Sequence, residues 1–164
     1  FSFISYFESK FDFDIDYVND KLKTIKEKKS LSFDSQKFIN DLKSAVAIWV
    51  DDEGQLSFTH RSLQEYFAAS FIKELKQNEN ERIYLKIIEK LESHDLISRE
   101  IENLLTLLEE MDMFNYYKNY YIKIIIELKT LLHVDSDLND EELAKRYVAF
   151  FIKGVKVRVV SIIL

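Results

Sequence analysis

Between Leu56 and Phe71 the hydrophobic pattern of this chain changes its period. Leu56, Phe58 and His60 alternate with Ser57, Thr59 and Arg61, the period-2 pattern of a half-buried strand. Beyond Ser62 the apolar positions are 63, 66, 67 and 71, which is helical spacing. Ser62 and Glu65 stand as a capping box, the hydroxyl accepting from the backbone N–H three residues on and the carboxylate reaching back. The pattern predicts a strand running into a helix with almost no loop. His60 and Arg61 sit at the junction, and Phe58 and Phe67 belong to the core.

The flanking elements follow from the same kind of reading. Residues 1–10 are apolar at 1, 3, 4 and 7 and read as the tail or first helix of something begun upstream. A helix over 14–29 sets Ile15, Val18, Leu22 and Ile25 on one face and ends in lysines that suit the negative end of its dipole. Another begins after Asp34, its N-cap, with Phe33 and Phe38 at the positions of a hydrophobic staple. Phe38, Leu42, Ala45 and Val46 are its expected buried face. Two β-prone runs, 47–50 and 55–60, surround Asp51-Asp52-Glu53-Gly54 and predict a hairpin.

Past residue 78 the periodicity is strong and the motifs are few. Tyr84, Ile87, Ile88 and Leu91 mark a helix over 80–93, and Ile101, Leu104, Leu105, Leu108 and Met111 one over 98–111. A third helix, over 114–132, is predicted to bury Phe114, Tyr117, Tyr121, Ile124, Leu128 and Leu131. A fourth covers 137–153 and ends at Gly154; the segment 155–164 reads equally as strand or helix. The reading is a mainly α protein: three helices plus a β-hairpin over 1–77, then an α-helical bundle over 78–164.

Composition narrows the function classes. Two glycines and no proline in 164 residues favour helices joined by short polar turns over a loop-rich β-protein. Without cysteine there is neither a disulfide framework nor a thiolate metal site. A net charge of −6 speaks against a general nucleic-acid binder. No membrane span and no signal peptide are visible, so the expected compartment is the cytoplasm. The first residue is Phe1 and the last three are Ile162-Ile163-Leu164, which reads as a piece of a longer polypeptide.

The run Phe58-x-His60-x-Ser62-x-Gln64-Glu65-Tyr66-Phe67-Ala68-Ala69 resembles the strand-to-helix signature of the winged-helix part of NACHT-type STAND NTPases. These are signalling ATPases of animal inflammasome sensors and bacterial antiphage defence proteins. The direct match covers about a tenth of the chain, and the flanking order of elements fits over residues 1–77. The resemblance implies that His60 contacts the β-phosphate of bound ADP and so distinguishes ADP from ATP. It also implies an upstream nucleotide-binding domain that holds ADP or ATP with magnesium, and homo-oligomerisation on activation. The chain itself has no G-x-x-x-x-G-K-[ST] loop, and the paired acids Asp51-Asp52 that follow its apolar run 47–50 fall in the expected hairpin turn, so it is expected to carry no catalytic residue and no cofactor of its own.

Other candidate chemistry has simpler explanations. The histidines at 60, 94 and 133 lack metal-site spacing, and no metal ligand set is expected. From the residues alone, His60 is a structural group bonding a turn; the resemblance makes it the nucleotide sensor. The lysines at 21, 23, 26, 28 and 29 read as a solvated face before an anion patch. Asp51-Asp52-Glu53 reads as a solvated turn, and the Tyr116-Tyr117, Tyr120-Tyr121 cluster as helix packing. A DNA-binding winged-helix regulator with a helical dimerisation domain is the rival. Its recognition helix would hold Asp34 and Asp41 against Lys37 and Lys43, a charge sum that does not suit a phosphate backbone.

Overall fold

The computed structural model describes residues 1–92 and 98–133. The expected helix over 137–153, the segment 155–164 and His94 lie outside the described residues. The protein is mainly helical with a small three-stranded antiparallel sheet. It divides into two compact units, Phe1–Glu74 and Leu75–Leu164.

In the first unit α1 (Ser2–Phe7) leads into β1 (Asp12–Phe13) and α2 (Ile15–Lys29). Asp14 caps α2, its carboxylate accepting from the Tyr17 N–H at 2.7 Å. Both helices end on a serine in the left-handed region, Ser9 (φ 53°) after α1 and Ser30 (φ 51°) after α2. Each is followed by a backbone bond that closes the last turn, Lys10 N–H to Ser5 O and Leu31 N–H to Lys26 O. In a chain with two glycines, serine takes the place where glycine is usual.

Asp34 caps α3 (Ser35–Asn40) by accepting from the Lys37 N–H at 2.7 Å, and the staple rings of Phe33 and Phe38 lie 5.0 Å apart. The helix then widens into one π turn, Asp41–Ala45. That extra residue changes the phase of the helix. Ile39 is buried and Leu42 half-buried, whereas Phe38, Ala45 and Val46, expected inside, are exposed.

β2 (Trp49–Asp52) and β3 (Gln55–Phe58) form the hairpin, Trp49 opposite Phe58 and Asp52 opposite Gln55. Glu53 and Gly54 both have positive φ (50° and 87°), as the two central residues of a type I′ turn require. β1 pairs with the other edge of β3, so the sheet order is β1-β3-β2. One face of the sheet carries Phe13, Trp49, Leu56 and Phe58 against Val18, Leu22 and Ile39. Phe58 meets Phe13 and Trp49 edge-to-face, with ring centroids about 6 Å apart (6.1 and 5.9 Å).

α4 (Arg61–Lys73) packs on α1. Its buried residues are Gln64, Glu65, Ala68, Ala69 and Ile72. That face is turned by roughly one residue from the expected 63, 66, 67, 71, because one residue is about 100° of helix. Phe67, expected in the core, is 38% exposed. The small alanines let the two helices approach, and the bulky rings on either side of them are left at the margin.

The second unit contains α5 (Gln77–Glu92), α6 (Ser98–Met111), α7 (Met113–Tyr116) and α8 (Ile122–His133), the last two joined by a π turn, Tyr117–Tyr121. α5 buries Tyr84, Ile87 and Leu91, and α6 buries Ile101, Leu104, Leu105 and Leu108. Along the α7–α8 rod the buried residues are Tyr116, Asn119, Tyr120 and Ile124. Tyr117 is exposed, Tyr121 half-buried and Phe114 73% exposed, contrary to the expected stripe. The π turn inserts one residue before Ile124, so the inward positions move back from 121 and 117 to 120 and 116.

Candidate functional site

The junction between β3 and α4 is held from two sides. Thr59 extends the hairpin beyond its last pair: its N–H donates to Ile48 O at 2.9 Å and its hydroxyl to Ala47 O at 2.8 Å. On the other side Gln64, 1% exposed, donates through Nε2 to Ser5 Oγ at 2.8 Å and to Lys10 O at 3.0 Å. One amide thus ties α4 to α1 and to the loop after it. A buried amide needs such partners, since an unmade bond there costs about 1–3 kcal/mol.

Between these anchors His60 is extended (φ −136°, ψ 133°) and occupies the N-cap position of α4. Its carbonyl accepts from the Leu63 N–H at 3.0 Å, while its side chain makes no capping bond. The helix therefore begins before Ser62, and the expected capping box is absent: Ser62 is exposed in the first turn and Glu65 points inward. The backbone turn of His60 starts the helix in its place.

Glu65 is 3% exposed, and Arg61 Nε lies 3.4 Å from its Oε1 as an i,i+4 ion pair. That oxygen accepts no hydrogen bond, so Arg61 is its compensation. The Arg61 guanidinium also stacks on Phe11, 3.9 Å from the ring centroid. The arginine is thereby fixed beside an exposed imidazole at the positive end of a thirteen-residue helix. Chemically, this is an arrangement that donates to an anion: one imidazole and the first-turn backbone N–H groups.

The other candidates do not gather at this junction. Lys21 binds Glu8 at 2.9 Å, and that bond holds the Glu8 carboxyl below the usual carboxylate range. The Tyr17 hydroxyl donates to the same carboxylate at 2.8 Å, and burial, with Glu8 beside it, pushes the phenol up. Lys26 donates to Phe33 O at 2.7 Å. Asp51 pairs with Lys43 and accepts from the Gly54 N–H at 3.0 Å, both of which hold its carboxyl low. Among the described residues no three His, Cys, Asp or Glu side chains could hold a metal, and no helix is long and apolar enough to cross a membrane. His133 ends α8, in the second unit.

Two features carry no signal in the sequence. One is a ladder in the second unit: Asn119 Nδ2 donates to Asn80 Oδ1 (3.1 Å), and Asn80 Nδ2 to Asp112 Oδ2 (3.1 Å). Asn115 also donates to Asp112, at 2.9 Å. The other is a half-open cavity of ≈ 560 Å³ in the first unit, with Phe67 in its wall. A spacing of asparagines or phenylalanines does not announce either feature.

No protein-family model matches the chain, and neither the curated proteins nor the solved structures contain a match.

Proposed function

We propose that the first unit is the winged-helix domain of a NACHT-type STAND NTPase and that His60 senses its nucleotide. The observation carrying this reading is His60 itself: an exposed imidazole with no capping role, at a helix start clamped by Thr59 and Gln64. The order of residue types from Phe58 to Ala69 supports it, as does the sheet order β1-β3-β2 with the hairpin last. The second unit follows as the helical domain of the same module.

In this reading a nucleotide-binding domain elsewhere in the polypeptide holds ADP, and His60 donates to its β-phosphate. That contact keeps the module closed. Exchange for ATP with magnesium removes it, and the released domain permits homo-oligomerisation in a defence signal. Regulation, not catalysis, is assigned to this chain. The test is nucleotide content: a longer polypeptide that includes the preceding domain is purified, denatured in acid and chromatographed. ADP in a near-equimolar amount, with none on the 164-residue chain alone, is the expected result. A nucleotide-free long form overturns the proposal.

A further inference from the structure

The cavity of the first unit lies outside the junction and is not used by the switch. It is lined almost wholly by apolar side chains, and three of its phenylalanines, Phe38, Phe67 and Phe71, remain 37%, 38% and 39% exposed. Its volume of ≈ 560 Å³ falls in the range of small-molecule sites, roughly 300–1,000 Å³. Trp49 lines it and is 3% exposed.

The charged side chains in the wall are Lys28 and Lys29, with no aspartate or glutamate, and Phe1, which carries the α-amino group, also lines it. The neighbouring lysines are engaged, Lys21 by Glu8, Lys26 by Phe33 O and Ser35 Oγ, and Lys43 by Asp51. Lys28 and Lys29 make no ion pair or hydrogen bond among the described residues. An aromatic chamber with two unengaged ammonium groups in its wall matches a long apolar body ending in an acid.

We propose that this cavity binds a free fatty-acid-type carboxylate, its chain against Phe38, Phe67 and Phe71 and its carboxylate on Lys28 and Lys29. Trp49 is the single tryptophan of the chain, so its emission reports the cavity directly. The 164-residue chain is titrated with dodecanoate below its micelle concentration, followed by Trp49 emission and by calorimetry. Dodecanol serves as the uncharged control. Saturable one-to-one binding of dodecanoate is expected, about tenfold weaker for dodecanol and for the doubly substituted Lys28→Gln, Lys29→Gln chain, as loss of charge-assisted bonds implies. Both lysines are exposed, and circular dichroism checks that the double variant is folded. No saturable binding overturns the proposal, and so does binding indifferent to both the headgroup and the lysines. A dimer that hides Trp49 and dissociates on dilution assigns the face to a second copy, and overturns it too.

Discussion

Two helices of nearly equal length bury their faces in different ways. α6, in the second unit, packs on Ile101, Leu104, Leu105 and Leu108, so its contacts are made by large aliphatic side chains. α4, in the first unit, packs on Ala68 and Ala69 with Gln64 and Glu65 beside them. α6 gains stability by filling volume. α4 gains it by close approach and by the two bonds of one amide. The difference teaches that burial follows helix separation as much as hydrophobicity, and that a tight seam leaves large rings free for other work.

The units also differ in how many raised phenols they hold, Tyr17 in the first against Tyr84, Tyr116 and Tyr120 in the second, and this gives the largest expected effect. Burial pushes the Tyr84 and Tyr116 hydroxyls up, and Tyr120 up to about 12. A raised phenol lends stability that is complete below its ordinary value of 10.0 and is lost as pH climbs through the folded value. Two pH units for Tyr120 correspond to about 3 kcal/mol, lost between pH 10 and about 12. Urea melts followed by circular dichroism across that window should weaken before Trp49 emission, which reports the first unit, reaches its transition. All nine tyrosines ionising together near pH 10 would contradict this.

Leu104→Ala empties a fully buried site in α6 and should cost about 2–5 kcal/mol in the same melts. Ala68→Leu tests the opposite rule on α4. Added bulk in a tight seam should cost about 1–3 kcal/mol. A neutral Ala68→Leu would show that α4 and α1 have room between them, and the comparison would fail.

Phe67→Ala separates margin from core. The ring is 38% exposed, so the loss should stay near ~1–2 kcal/mol, below the ~3–5 of a buried aromatic. A loss as large as the core value would place Phe67 inside after all.

What could be read from the sequence was what is local. The cap at Asp34, the staple of Phe33 and Phe38, and the turn at Gly54 each depend on residues within a few positions. α6 was legible because its buried residues are also its most apolar. The inward face of α4 was not, since hydrophobicity ranks Phe67 above Ala68 while the distance to α1 ranks them the other way. The π turns at 41–45 and 117–121 leave no mark in the residue pattern, and each shifts the face beyond it. At the junction His60 was legible as a residue of interest from the motif order. Its role as N-cap was not, because a serine followed by a glutamate three residues on predicts a later start.

The sharpest test is the rate at which ADP leaves the longer polypeptide, measured with and without His60→Ala. The imidazole is exposed and unbonded, so the substitution should leave the fold within ~0.5 kcal/mol of the parent. A bond to a charged phosphate is worth roughly 1.5–3 kcal/mol, so ADP release should quicken by about tenfold to a hundredfold. Unchanged release from a folded variant would contradict the sensing role of His60, and with it the account of the switch.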